Sequence, residues 1–297
     1  MPGCDGRSDP ALRAAGIEWI PLSAGGLDFE ALAAGPRAGE LVLLLHGFPQ
    51  TSWSWRRVLP RLAAQGYRAV APDGRGLQRT ARPSELSAYH VRELVGDVLA
   101  QAEALGHERF HLAGHDWGGI VAWHVAGRHP GRVRTLSVAS TPHPRAFRRA
   151  YGDPTCDQRE RSSYFALFRE PGAGEDLWLA RGADGLRELY RAAGLDPAEV
   201  EPYVSAFSER AALTAMLNWY RAGTPTWEEG LGAIEVPTLY CWSTGDVALG
   251  REAALWTADH VRAPYRFEVF EGLSHWIPEQ APERLAALLL EHFARHA

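Results

Sequence analysis

Residues 109–120 read Arg109-Phe110-His111-Leu112-Ala113-Gly114-His115-Asp116-Trp117-Gly118-Gly119-Ile120. The first five residues have the pattern of a buried strand, and Ile120 to Gly127 that of a helix, so Gly114 to Gly119 must turn one directly into the other. Gly114-x-Asp116-x-Gly118 has the form small, any, nucleophile, any, small. A side chain at the crest of so tight a bend sits on a strained backbone, and a Cβ two positions to either side would collide with the neighbouring strand or helix. The bend lifts Asp116 out of the sheet and sets it by a helix N-terminus, whose free N–H groups stabilise negative charge. An Asp that merely caps a helix would look the same in isolation. The flanking sequence decides between the two.

Upstream, Ile17 to Leu32 reads as two short strands about Gly25-Gly26, and Leu41 to Leu45 is an unbroken apolar run suited to a strand covered on both faces. A helix is predicted from about Ser54 to Gln65, closed by Gly66, then a strand over Tyr67 to Ala71. Val91 to Leu105 has helical spacing and stops at Gly106. Downstream, Arg132 to Ala139 is a strand, and after a gap the alternation resumes: strand Thr238 to Trp242, helix Arg251 to His260, strand Tyr265 to Phe270, helix Glu283 to Arg295. Strand and helix alternating in this way predict an α/β fold with a mostly parallel sheet flanked by helices. Between Thr141 and about Gly232 the pattern is helical and aromatic, without a strand, and punctuated by prolines. The expected organisation is a sheet domain formed by 1–141 and 233–297, with a helical cap, 142–232, inserted into it.

Three further stretches bear on Asp116. His46-Gly47-Phe48-Pro49 ends the strand before it, where the backbone N–H of Phe48 can join that of Trp117 as an oxyanion hole. A base and its orienting acid should follow at later strand ends, in the order nucleophile, acid, histidine. Ser243-Thr244-Gly245-Asp246 and Ser274-His275-Trp276 supply them, with Asp259 a weaker competitor for the acid. A carboxylate in place of serine attacks a saturated carbon and leaves an enzyme-bound alkyl ester. His275 with Asp246 would then deprotonate the water that hydrolyses it.

On His46-Gly47-Phe48-Pro49 with Ser54-Trp55-Arg56, on Gly114-His115-Asp116-Trp117-Gly118-Gly119 and on Ser274-His275-Trp276, the chain resembles the epoxide hydrolases of the α/β-hydrolase fold. The resemblance implies hydrolysis of a small epoxide to a vicinal diol without a cofactor, and two cap tyrosines that hydrogen-bond the epoxide oxygen. Their hosts here are Tyr164-Phe165-Ala166-Leu167-Phe168 and Leu217-Asn218-Trp219-Tyr220, with Tyr164 and Tyr220 on apolar helical faces. A neutral phenol can donate to an oxygen that becomes an alkoxide. Phe48, Pro49, Trp117, Trp219 and Trp276 are the candidate substrate-binding residues. One loop departs from the family pattern: Asp73-Gly74-Arg75-Gly76 runs into Leu77-Gln78-Arg79-Thr80, which bears on substrate size.

Haloalkane dehalogenases share the Asp nucleophile and often a Trp after it, but need a second halide donor. Phe48 stands where one common donor, Asn, would be, which leaves a cap Trp such as Trp178. A non-catalytic small-molecule-binding protein on the same fold is the remaining alternative.

Composition narrows the field further. All 31 basic residues are Arg, so Schiff-base chemistry and a Walker-A lysine are excluded. The net charge of -5 carries no basic stripe for nucleic acid or an anionic membrane. Met1 to Asp9 is polar, with no apolar targeting segment, and no run approaches a membrane span, so a cytoplasmic protein is expected. Cys4, Cys156 and Cys241 lack disulfide or zinc spacing. No metal is expected, since neither His111 with His115 nor His292 with His296 makes a ligand pair. A homodimer is compatible with the sequence.

Overall fold

The computed structural model describes residues 9–223 and 230–296. Met1 to Ser8, with Cys4, lie outside it. Eight strands form one sheet: β1 (Ile17–Ala24), β2 (Leu27–Ala34), β3 (Leu41–Leu45), β4 (Arg68–Pro72), β5 (Phe110–His115), β6 (Val133–Ala139), β7 (Thr238–Ser243) and β8 (Tyr265–Phe270). Their order is β1-β2-β4-β3-β5-β6-β7-β8. The β1–β2 and β2–β4 pairs are antiparallel, whereas β3 onward runs parallel. The strand ends after β3, β5, β7 and β8 therefore open on one edge of the sheet, where an α/β sheet holds its ligands.

Thirteen α-helices lie among the described residues. Those of the sheet layer are α1 (Pro10–Ala14), α2 (Leu59–Ala63), α3 (Val91–Ala104) and α4 (Trp117–Arg128). The stretch between β6 and β7 carries α5 (Pro144–Gly152), α6 (Gln158–Arg161), α7 (Tyr164–Arg169), α8 (Ala173–Ala192), α9 (Pro197–Phe207) and α10 (Arg210–Arg221), with no strand among its described residues. The chain closes with α11 (Arg251–Trp256), α12 (Ile277–Gln280) and α13 (Pro282–Arg295).

The unbroken apolar run of β3 follows from burial on both faces. Leu41, Leu43 and Leu45 join the core beneath α3 and α4, while Val42 and Leu44 join Trp55, Leu59, Leu285 and Phe293 on the opposite side. Successive side chains of a strand alternate, so a strand covered twice must be apolar at every position.

Three expected helices differ from the sequence reading, that over Arg251 to His260 being α-helical only to Trp256 and continuing as a 3-10 turn, Thr257–His260. The helix expected over Ser54 to Gln65 is a 3-10 turn, Ser52–Trp55, followed by the short α2, with Pro60 in its first turn. Proline has no N–H to donate and is tolerated only at a helix start, so the segment breaks before it. The helix expected from Ile120 begins at Trp117. Glycine disfavours helix interiors, but Gly118 packs so closely that a Cβ there would lie 2.2 Å from the Leu45 carbonyl oxygen.

Candidate active site

Asp116 occupies the bend between β5 and α4 with φ +52°, a conformation that side chains rarely adopt. Three glycines make the bend possible. A Cβ on Gly114 would meet the Gly118 carbonyl oxygen at 2.2 Å, one on Gly118 the Leu45 carbonyl, and one on Gly47 the Asp116 Cβ at 2.3 Å. From below, the Thr141 hydroxyl donates to the Asp116 carbonyl at 2.8 Å.

The loop after β3 brings the Phe48 N–H to Asp116 Oδ1 at 2.8 Å, and the Phe48-Pro49 bond is cis. His46 braces this loop. Its Nε2 accepts from the Gly74 N–H at 2.8 Å, and its Nδ1 lies 2.8 Å from the Gly47 carbonyl, an arrangement that requires the neutral ring. Burial holds its pKa down, against the pull of Asp73.

His275 lies in the loop after β8. Its Nδ1 is 2.8 Å from Asp246 Oδ2, and its Nε2 is 3.4 Å from Asp116 Oδ2. Asp246 Oδ1 is occupied by the N–H groups of Ala248 and Leu249, so this carboxylate is fully held. Asp259, the competing acid, is exposed and pairs with Arg149 on the surface. The His275 carbonyl is fixed by the Ser140 hydroxyl at 2.7 Å and by His115 Nε2 at 2.9 Å; His115 Nδ1 in turn contacts Gln50.

Electrostatics follow from this geometry. Burial alone would raise the Asp116 carboxyl, but His275 and the Phe48 N–H hold it below its ordinary value. Burial alone would depress His275, but Asp246 and Asp116 together push it up to about 10. The neighbouring His115 is driven down to about 4, chiefly by burial and then by His275.

A cavity opens on Asp116, bordered by Trp117, Ile120, Thr141, Pro142, Phe147, Tyr164, Phe165, Tyr220 and Leu249 among others. Among the described residues that line it, only Asp116 is charged at neutral pH. Tyr164 enters from α7 and Tyr220 from α10, their ring centroids 6.4 Å apart. The Tyr220 ring also stands edge-on to Trp117, with centroids 5.0 Å apart. Burial, and after it the Asp116 charge, raises both phenols well above 10, so both are neutral proton donors.

The structure thus brings Asp116, His275, Asp246, Tyr164, Tyr220, Trp117 and the Phe48 N–H to one place. It does not bring the other expected substrate contacts there. Trp219 stacks on His46 and donates its indole N–H to the Arg75 carbonyl. Pro49 is engaged through its carbonyl by the Tyr190 hydroxyl. Trp276 stands edge-on between His275 and Tyr190. These three pack around the site without bordering the cavity. The lining residues Ile120, Pro142, Phe147, Phe165 and Leu249 escaped sequence reading, because an apolar side chain on a helix or loop carries no signal of the cavity it will face.

The alpha/beta hydrolase fold family model matches residues 40–282. The chain is 32% identical to epoxide hydrolase A of Mycobacterium tuberculosis, over 90% of this chain and 94% of that one. It is 34% identical to epoxide hydrolase 3 of Xenopus tropicalis, over 91% and 76%. The crystal structure of epoxide hydrolase A from Mycobacterium thermoresistibile superimposes with a TM-score of 0.81 at 27% identity, covering 94% of this chain and 98% of that one. An epoxide hydrolase from Vigna radiata gives 0.80 at 27% identity, over 94% and 99%. The chain belongs to the α/β-hydrolase fold family and, within it, to the epoxide hydrolases.

Proposed function

We propose that this protein hydrolyses an epoxide to a vicinal diol in two steps through a covalent ester on Asp116. In the first, Asp116 Oδ2 attacks one ring carbon and the C–O bond breaks. The oxygen that leaves takes a proton from the Tyr164–Tyr220 pair. In the second, His275, oriented by Asp246, removes a proton from water, and the resulting hydroxide attacks Asp116 Cγ. The negative charge that develops on Oδ1 is met by the Phe48 N–H and by the N–H of Trp117 at the start of α4. Collapse of the adduct breaks the ester C–O bond, and the proton on His275 and that of the new Asp116 carboxyl pass to the expelled diol oxygen and to the tyrosinate, which restores the carboxylate and the neutral tyrosine pair. The residues between β6 and β7 act as a cap, carrying both tyrosines over the nucleophile.

The observation that carries this reading is the cavity that Asp116 shares with two neutral tyrosine hydroxyls. A halide leaving group needs two N–H donors, and of the two candidate indoles only that of Trp117 borders the cavity, since Trp178 does not. An epoxide oxygen needs acids that stay protonated beside a carboxylate. The test is rapid-quench measurement of ester formation with styrene oxide. Tyr164→Phe and Tyr220→Phe should each slow it, and the double variant should slow it by about 10²–10⁴-fold, the usual worth of general acid catalysis. Ester formation at the wild-type rate in the double variant would refute the assignment.

A further inference from the structure

The two flanks of Asp116 are not alike. On one side is the open cavity, bordered by Ile120, Pro142, Phe147, Phe165 and Leu249. On the other is Phe48, whose N–H already holds Asp116 Oδ1. The Phe48 ring is enclosed by aromatic rings: Trp178 stacked at 5.3 Å, Phe207 at 5.6 Å, Tyr220 at 5.8 Å and Phe168 at 6.0 Å. Phe48, Phe168, Trp178 and Phe207 are all buried. A surface cleft on α8 is lined by Leu177, Arg181, Asp184 and Glu188 and also by Trp178. Trp178 thus stands between the residues of that cleft and the ring of Phe48.

We propose that Trp178, stacked on Phe48, closes a second approach to Asp116 and so restricts the enzyme to neutral, apolar epoxides whose bulk lies on one ring carbon, that is, terminal epoxides with a substituent of about phenyl size. The inference rests on the epoxide hydrolase reading and adds a substrate class to it. An in-line attack on either carbon of a ring with bulky groups at both ends must lodge one group on each flank of the carboxylate, and the Phe48 flank is filled. Close-packed aromatic walls do not yield cheaply, since inserting volume into a filled interior forces side chains off their rotamers. A charged substituent is disfavoured separately, because none of the described lining residues offers a cation to a carboxylate tail and burying an unpaired charge is costly.

The test compares kcat/KM for styrene oxide, bulky at one carbon, with that for trans-stilbene oxide, bulky at both. The wild-type ratio should exceed about 100-fold, the scale on which a pocket discriminates by shape. Trp178→Ala should lower that ratio by tenfold or more, and Trp178→Leu serves if the alanine variant does not fold. Phe147→Trp, which fills the open flank, should instead lower styrene oxide turnover. Similar wild-type kcat/KM for the two epoxides, or an unchanged ratio in a folded Trp178 variant, overturns the inference and leaves the proposed activity standing. Failure to turn over either epoxide overturns both.

Discussion

Asp116 and His275 hold each other in opposite protonation states, and in the proposed mechanism this sets the pH behaviour of each half-reaction. Ester formation needs an ionised Asp116, kept below its ordinary pKa, and neutral tyrosines, kept well above 10. Its rate should stay level from about pH 5 to pH 9, since neither group titrates in that window. Ester hydrolysis needs a neutral His275, which in the free enzyme two carboxylates push up to about 10. Alkylation neutralises one of them, so the His275 pKa falls in the ester and the base becomes available when it is needed. Hydrolysis should therefore rise with pH up to that lowered pKa, and the steady-state fraction of enzyme trapped as ester should shrink. Rapid-quench mass spectrometry across pH reads both, and ester formation that rises along with hydrolysis would contradict the division of labour. These residues were legible in the sequence because chemistry requires particular side chains at particular strand ends. Their supports were less so: Ser140, Tyr190 and Gln50 act through hydrogen bonds to carbonyls or other side chains that no motif specifies.

The strand-to-helix bend is the element on which the site depends, and its demands are steric. Ala at Gly118 would place a Cβ 2.2 Å from the Leu45 carbonyl oxygen, backbone against backbone, which no rotamer change relieves. Gly118→Ala should cost at least the 1–3 kcal/mol typical of overpacking, roughly several degrees in Tm, and displace Asp116 from the Phe48 N–H. Gly131→Ala, where a Cβ would meet nothing within 4 Å, is the control and should be nearly neutral. Equal thermal stability of the two variants would argue against the close approach. Alternation and helix-capping residues revealed the type and place of most elements. They failed at residues 54–65, where the apolar spacing suits a helix but Pro60 can sit only in a first turn. Trp219 marks another limit of periodicity. The apolar face of α10 was readable, but that Trp219 would dock on His46, while Tyr220 turned to the cavity, depends on how the helix is rotated against the sheet.

Across the whole molecule, the two parts of the chain are joined by buried polar contacts that sequence alone could not pair. Arg56 beside the loop after β3 bonds Glu279 on α12 at 2.8 Å and Glu199 on α9 at 2.9 Å, and Tyr203 on α9 also reaches Glu279. Removing one member of such a buried network leaves an uncompensated charge, so it fixes where the helices between β6 and β7 sit over Asp116. The partners are up to 223 positions apart in sequence, and a lone Arg or Glu reads as a surface charge until the fold supplies the other. In the proposed mechanism the Asp116 carboxylate itself attacks the substrate. A single turnover of styrene oxide in ¹⁸O-labelled water, with enzyme in excess, tests it most directly. Attack by Asp116 puts one ¹⁸O atom in the peptide that carries it and none in the diol; label in the diol with Asp116 unlabelled would mean that water attacks the epoxide directly.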